Sequence, residues 1–240
     1  MIAQLPQPFL PGVMTSSQKS KIEYWAGYTF GWPSCLEGIS KWVSGCVVTP
    51  RWQNRAGQEL ETWRPIMLDN GAFSAWLNDQ PISLKSQVEA MRSFMDTLPD
   101  HSIEWIVLPD VVADGMESWR RSWHGIGMLQ DLIHPERMLW PVQEEMDIYQ
   151  LAAMWRAGAF GGFFVGGKTR RWKLETAREI RKELSSAYIH IGRISSPHHL
   201  MAATQIPIDS FDTTSFTRQQ EWNRSQPYAA RLAMFCKETA

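Results

Sequence analysis

Cysteine is scarce in this sequence: 240 residues contain three, Cys35, Cys46 and Cys236, and no two of them form a C-x-x-C pair. This spacing excludes a disulfide framework and a zinc site held by paired cysteines, and it is typical of reduced thiols in a cytoplasmic protein. Long apolar runs are lacking too. We therefore expect a soluble protein without a membrane partner.

An excess of charge of one sign is also missing. The formal net charge is -1 and the isoelectric point is about 6.6, so no global field would draw the chain to a nucleic acid. Any contact with a polyanion would depend on local basic segments. The six histidines form no H-x-H or H-x-x-x-H pattern, so we expect no metal site built on histidine.

What the sequence does contain is an alternation of short apolar runs with longer helix-patterned segments, and no linker divides residues 1–240 into two domains. This alternation favours a single-domain (β/α)8 TIM-type barrel, and a doubly wound open sheet is the alternative because the pattern does not reveal closure. Strands are predicted at 24–28, 46–49, 66–68, 105–108, 138–142, 162–165, 189–191 and 208–211. Helices are predicted at 84–95, 116–129, 146–157, 174–185 and 197–203.

Polar residues or glycines follow six successive predicted strands. Loops at the carboxyl ends of the strands build the active site of a barrel, so these residues would meet on one rim. Taken alone, each has an ordinary explanation: an Asp-Asn-Gly sequence is typical of a turn, and an aspartate after a strand can cap a helix. Their recurrence at strand ends favours a functional rim. The residues are Asp69, Asp110, Gln143, Gly166 with Gly167, Gly192 with Arg193, and Asp212.

The residue types on this predicted rim point to glycosidic chemistry. One carboxylate would attack the anomeric carbon and a second would handle a proton, which is the recurring solution for glycosidic bonds. The third acid and the amide would then read the leaving group. A metal-dependent barrel hydrolase is a weaker alternative, because converging histidine ligands are lacking.

Four segments resemble, in the same order, motifs of the tRNA-guanine transglycosylase superfamily. DNGAF resembles the family's D-S-G-G-F/Y, PVQ its V-Q-G, GGFFVGG its G-G-L-A-V-G, and FDTTSFTR its F-D-x-x-x-x-T-R. The matches extend from residue 69 to residue 218, and their order is more specific than any single motif. The sequence is most similar to the shorter DpdA-type DNA 7-deazaguanine transglycosylases of phages and bacterial islands.

The resemblance implies a role for each matched residue. Asp212 would be the nucleophile on C1′ of the deoxyribose, and Asp69 would be the general acid/base at the departing or arriving base. Asp110 would accept from N1–H and the exocyclic amine of a guanine-type base, and Phe73 would stack on that base. Gln143 and backbone N–H groups would bind the O6 side. The other substrate-binding residues implied are Gly161, Gly162, Phe163 and Gly192.

Two departures separate the sequence from tRNA-specific relatives. Their C-x-C-x-x-C…H zinc subdomain is not found before Ala240, and the basic N-G-R that follows T-R in the family is replaced by QQEWNR. Both differences favour DNA, with the target base flipped or the DNA single-stranded. For the segment KTRRWK, a solvated helix start is the alternative to phosphate binding. The residues expected to contact the nucleic-acid backbone are Lys168, Arg170, Arg171, Arg193 and Arg218.

The activity implied is base exchange in DNA: guanine leaves through a covalent Asp-deoxyribosyl intermediate, and a free 7-deazaguanine such as preQ0 enters. No cofactor and no metal are expected, and proteins that unwind DNA would be suitable partners. A DNA glycosylase that leaves an abasic site, for example in anti-phage defence, is the first alternative and needs the same Asp212 and Asp69. A catalytically silent nucleic-acid-binding barrel is the second, and it has no reason to keep both acids.

Overall fold

The computed structural model describes residues 22–27, 43–52, 65–98 and 102–214. Within them, parallel strands pair in chain order and close between β8 and β1, which confirms the predicted (β/α)8 barrel and rules out the open sheet. The strands are β1 (Glu23–Gly27), β2 (Val43–Val48), β3 (Ile66–Leu68), β4 (Ile103–Val107), β5 (Met138–Val142), β6 (Gly162–Val165), β7 (Tyr188–Ile191) and β8 (Ser210–Thr213).

The helices that connect these strands agree closely with the predicted segments, with one addition. A short helix after the Asn-Gly turn was not predicted because it buries only one residue, Ala72. None of the helices in the described ranges is long and apolar enough to cross a membrane. The helices are α1 (Ala72–Leu77), α2 (Leu84–Met95), α3 (Gly115–Leu129), α4 (Ile148–Arg156), α5 (Arg170–Glu183) and α6 (Pro197–Thr204), with 3-10 turns at Pro50–Trp52 and Pro135–Arg137.

Side-chain caps explain where several helices begin. Ser83 accepts from the Ser86 N–H at the start of α2, and Asp114 accepts from the Glu117 N–H at the start of α3. Thr169 caps α5 in the same way, so this helix begins four residues before the predicted start at 174. The first turn of α5 therefore lies directly after β6 at the carboxyl rim of the barrel.

Alternation along the strands decides which side chains enter the barrel. A small apolar cluster fills the interior, and it is separate from the larger core between strands and helices. Strand side chains alternate between two faces, so residues two apart point in the same direction. Asp69 comes two residues after the inward Met67, and its side chain therefore also points towards the interior. The buried members of the interior cluster are Trp25, Val47, Met67, Val107, Leu139 and Tyr188.

Candidate active site

The three predicted carboxylates lie at the same rim of the barrel. Asp69 directly follows β3, Asp110 follows β4 by three residues, and Asp212 is the third residue of β8. Burial, then the charge of Asp110 and, less strongly, that of Asp212, raise the pKa of Asp69 to about 7, while the Gly71 N–H and Arg193 oppose the shift. The carboxylates therefore share one electrostatic environment.

The local structure at Asp69 is a turn as well as part of the rim. The Gly71 N–H donates to Asp69 Oδ1 at 3.2 Å, and the Asp69 N–H donates to the Val48 carbonyl at 2.8 Å. Gly71 has φ +81°, a backbone conformation that favours glycine, so the Asn-Gly sequence makes this turn at low cost. The Asp-Asn-Gly sequence therefore forms a turn, and the same turn lies at the rim of the barrel.

Asp110 is buried in a network of amide side chains. Asn70 Nδ2 donates to its Oδ1 at 2.9 Å, and Gln143 Nε2 donates to its Oδ2 at 2.6 Å. Gln87 of α2 donates to the Asp110 carbonyl and to Asn70 Oδ1, each at 3.2 Å. Burial raises the pKa of Asp110 to about 6, although the two amides act in the opposite direction. Asn70 was predicted only as a turn residue, and no motif in the sequence pointed to Gln87.

A cavity of about 250 Å³ lies beside Asp110, and Asp69 and Asp212 are not among its lining residues. Its volume is below the roughly 300–1,000 Å³ of pockets for drug-sized ligands, so it has room only for a small group. The wall is mostly apolar and includes Ala72, Trp76, Ile82 and Val111. Arg121 is a further lining residue, and it is held by bonds to Glu117 and the Ile82 carbonyl.

Asp212 is held through one of its oxygens. His190 Nε2 lies 3.0 Å from Asp212 Oδ1, and the Arg193 N–H donates to the same oxygen at 3.0 Å. Arg193 has φ +61°, which is costly for a residue with a side chain, and this conformation directs its N–H to the carboxylate. The Ile194 N–H donates to the Asp212 carbonyl at 2.8 Å, so the loop after β7 folds over β8.

Arg193 and Phe73, which were predicted to contact the DNA backbone and the base, contact each other in the structure. The guanidinium carbon of Arg193 lies 3.3 Å from the ring centroid of Phe73, a cation–π contact across the rim. One face of Phe73 is therefore covered, and a base stacks there only if the guanidinium moves. Arg193 also acts on Asp69 and Asp212, because their two charges raise its pKa against the larger lowering by burial.

Lys173, the last residue of the segment KTRRWK, is buried at the site and does not belong to the exposed basic surface. Lys173 is 4% exposed, and its Nζ donates to the Gly192 carbonyl at 2.7 Å. Burial and then Arg193 lower the pKa of Lys173 to about 8, against the charges of Asp212 and Glu144. Its position on the buried face of α5, with Thr176, Ala177 and Ile180, is the sequence signal that could have identified it.

Gly192 lies at the site, as predicted, and close packing explains the absence of a side chain. A Cβ at this position would stand 2.8 Å from the Phe164 ring and 3.5 Å from Asp212 Oδ1. At the end of β6, a Cβ on Gly166 would come within 2.7 Å of Gln143 Nε2. Both glycines allow the backbone to approach the polar residues of the rim.

The predicted contacts of Gly161, Gly162 and Phe163 with the base are corrected by the sheet register. The Gly161 N–H donates to the carbonyl of Met138, the first residue of β5, and Gly162 pairs with Leu139. These glycines lie at the amino end of β6, whereas Gln143 follows the carboxyl end of β5. Phe163 packs outward in the core between strands and helices. None of the three faces the rim.

The basic residues after β6 are exposed on α5 and the preceding loop. Arg171 forms an ion pair with Glu175 at 2.7 Å, and the Lys168 N–H donates to Glu144 Oε1 at 2.7 Å. Arg170 and Arg171 line a groove of about 260 Å³ between α5 and α6, together with Arg178, His198 and His199. Arg218 lies outside the described residues.

His190 lies at the site and was not predicted from the sequence. It is fully buried within β7, and its ring stacks on Phe164 with centroids 4.9 Å apart. His190 precedes Gly192 by two residues, so its side chain shares the inward direction of the strand end. Alternation along YIHIG was the available signal.

Comparison with known proteins identifies the fold and leaves the reaction open. No protein-family model and no curated protein matches the sequence. Among solved structures, the chain is similar to 2,3-dimethylmalate lyase, a PEP mutase/isocitrate lyase superfamily member, with a TM-score of 0.53 and 9% identity over 90% of this chain and 84% of the lyase chain. At that identity the likeness shows the barrel alone, because this fold hosts many unrelated chemistries.

Proposed function

We propose that this barrel exchanges a base in DNA, replacing guanine with a 7-deazaguanine through a covalent bond between Asp212 and deoxyribose. The observation that carries the proposal is the meeting of Asp69 and Asp212 at one rim, where both interact with Arg193. Two carboxylates with separate roles are the usual requirement for cleaving and re-forming a glycosidic bond. The order of the four matched motifs supports the choice of base exchange.

In the first half-reaction an oxygen of Asp212 attacks C1′ as the bond from C1′ to the base nitrogen breaks. The electron pair of that bond leaves with the base, and Asp69 supplies a proton to it. In the second half-reaction the incoming base gives a proton to Asp69, and its nitrogen attacks C1′. Asp212 then leaves as a carboxylate. Protons and electrons balance over the cycle, and no redox step is required.

The environment of Asp69 supports its role as the acid/base. A proton donor that must also accept works best when its pKa lies near the working pH. Burial and the neighbouring charge of Asp110 raise the pKa of Asp69 to about 7. Both protonation states are therefore accessible near neutral pH.

The network around Asp110 supports a role in reading a guanine-type base. Asn70 and Gln143 each donate to one oxygen of the carboxylate and hold it in a fixed orientation. Each oxygen has a further lone pair that can accept from N1–H or the exocyclic amine. Gln143 Nε2 carries a second N–H for O6. With Gly161, Gly162 and Phe163 directed elsewhere, Gln143 is the residue that we assign to O6.

DNA as the substrate is supported by the placement of basic residues beside the rim. Arg170, Arg178 and His198 line the groove between α5 and α6, and α5 begins directly after the carboxyl end of β6. Phosphate contacts of this kind position a strand without reading its sequence. A base must leave the stack to reach carboxylates in the mouth of a barrel.

Nucleoside mass spectrometry of treated DNA tests the proposal. Single-stranded and duplex DNA are incubated with the protein, with and without preQ0, and the DNA is digested to nucleosides. A new 7-deazaguanine nucleoside that requires preQ0 supports exchange, and abasic sites without added base support excision instead. The Asp212→Asn variant is the matched control. DNA that stays unchanged under all conditions contradicts both activities and leaves a binding barrel.

A further inference from the structure

A chain of hydrogen bonds runs through the barrel interior away from Asp212. His190 Nε2 lies 3.0 Å from Asp212 Oδ1, and His190 Nδ1 lies 2.8 Å from Ser210 Oγ. Ser210 Oγ lies 2.7 Å from the Tyr188 hydroxyl, which lies 3.3 Å from Glu23 Oε2. The chain thus connects the carboxylate at the rim with an acid at the amino end of β1.

The strand register explains how these residues meet. Glu23 pairs with Ser210, and Ser210 pairs with His190, so the residues lie side by side on adjacent strands. Tyr188 and His190 are two residues apart on β7, and Ser210 and Asp212 are two apart on β8. Strand alternation directs each pair to one face, here the interior.

Burial makes this arrangement rigid. His190 and Ser210 have no exposed surface, and Asp212 is 6% exposed. The imidazole stacks on Phe164, and the Tyr188 ring stacks on Trp105 with centroids 4.4 Å apart. Both nitrogens of His190 therefore have fixed partners, and the hydrogen bonds decide which nitrogen carries the proton.

The polarity of the chain follows from the carboxylate. If Ser210 donates to Nδ1, the neutral imidazole carries its proton on Nε2 and donates to Asp212 Oδ1, and the single proton of the Tyr188 hydroxyl is left for Glu23 Oε2 or Ser210 Oγ. A doubly protonated ring would instead leave a buried unpaired charge once Asp212 becomes an ester, which is costly. The neutral Nε2–H form suits both the carboxylate and the ester.

Both donors to Asp212 contact Oδ1, so Oδ2 is the oxygen that is available for nucleophilic attack. His190 Nε2 and the Arg193 N–H both contact Oδ1, and within the described ranges Asp212 Oδ2 has no hydrogen-bond donor. We propose that His190 is the positioning residue of Asp212: it holds Oδ1, presents Oδ2 to C1′, and is kept in the Nε2–H form by the Ser210 hydroxyl at Nδ1. This inference rests on the proposed function.

Substitution of His190 tests the positioning role. His190→Leu removes the donor, and His190→Gln places an amide N–H near the former Nε2. Loss of one preorganised donor at a reacting centre typically lowers the rate by about 10²–10³-fold. We expect that loss in single-turnover formation of the covalent complex for the Leu variant, recovery to within roughly tenfold for the Gln variant, and little change in KM for DNA in either.

A second measurement on the wild-type protein does not depend on activity or on the folding of a variant. The ¹⁵N chemical shifts of His190 in histidine-labelled protein report which ring nitrogen is protonated. We expect a protonated Nε2 and an unprotonated Nδ1, and a larger Nδ1–H population in Ser210→Ala. A neutral ring protonated on Nδ1, or a doubly protonated ring in the wild type, overturns the assignment.

The outcomes separate this inference from the proposed function. If the wild type forms no covalent complex with DNA, the proposed function fails whatever the histidine shifts show. If the wild type forms the complex and folded His190→Leu forms it at the same rate, the positioning role fails and the proposed function stands. A Leu variant that is slow without recovery in the Gln variant also contradicts positioning by a hydrogen bond.

Discussion

The β3–β5 side of the rim differs from the β7–β8 side in how each holds a carboxylate. On the first side, amide side chains and a turn N–H contact Asp69 and Asp110, and burial raises their pKa values to about 7 and 6. On the second side, Asp212 contacts a buried histidine and a backbone N–H, and the charge of Lys173 acts on the same place. Carboxyl groups whose pKa values lie near neutral pH suit proton transfer and base recognition. A carboxylate that accepts two hydrogen bonds on one oxygen and lies near a cation suits nucleophilic attack through its other oxygen.

The largest expected effect comes from the β7–β8 side. Asp212→Asn keeps the shape of the side chain and removes the attacking oxygen, so covalent complex formation should fall by on the order of 10³-fold or more. Denaturing gel electrophoresis of the protein with labelled DNA measures the complex. The circular dichroism spectrum should match that of the wild type. Undiminished complex formation in the folded variant would rule out Asp212 as the nucleophile.

The next effect should come from the proton-transfer residue on the opposite side. Asp69→Asn should lower turnover by about 10²–10⁴-fold, because general acid/base catalysis contributes that much in typical enzymes. The wild-type pH profile of kcat/KM should have a limb near pH 7, since the pKa of Asp69 is about 7. Stopped assays from pH 5 to 9 measure this limb. Its persistence in the residual activity of Asp69→Asn would assign it to another group.

A smaller effect is expected in base recognition. Asp110→Asn should reduce discrimination between guanine and adenine by about 1–3 kcal/mol, the typical value of a bidentate base contact. Competition between the two bases in the exchange assay measures the loss. Ser122→Ala is the matched control, because buried Ser122 donates to the carbonyl of the neighbouring Pro109 and contacts neither the Asp110 carboxylate nor the amides that hold it. The control should lose stability and keep its selectivity; equal selectivity loss in both variants would mean that Asp110 acts only through the fold.

The smallest expected effect is on the pH dependence of the free energy of unfolding, and it comes from the carboxyl groups of the β3–β5 side. The folded pKa values of Asp69 and Asp110 lie above the roughly 3.9 of unfolded aspartate. The folded protein therefore binds more protons between about pH 4 and pH 7, and the free energy of unfolding should fall as pH rises through that window. Asp69→Asn removes one titrating group and should flatten the curve. Urea unfolding at pH 5 and pH 8 measures the difference; parallel curves for wild type and variant would contradict it.

The sequence was sufficient for the barrel and for the acids on its rim. The strands alternate with capped helices at regular spacing, and Asp69, Asp110 and Asp212 lie at or just beyond predicted strands. Ser83 and Asp114 cap α2 and α3, the two helices predicted to follow them. These features are local in the chain, so pattern reading detects them.

What the sequence did not reveal depends on pairing between distant segments. The likeness of GGFFVGG to a family motif suggested a role for Gly161, whereas its place opposite Met138 follows from the register of β5 and β6. The contact of Arg193 with Phe73 joins the loop after β7 to helix α1, which follows β3. The bond from His190 to Asp212 requires both the register of β7 with β8 and the inward direction of each residue.

The central claim is that Asp212 and Asp69 act on one nucleotide from a single rim, and peptide mass spectrometry of the trapped enzyme tests it most directly. The protein is quenched during reaction with DNA, digested with nuclease and protease, and searched for a deoxyribosyl adduct. We expect an adduct on the peptide that contains Asp212, more abundant when preQ0 is withheld. An adduct on another residue, or an active enzyme that forms none, would contradict it.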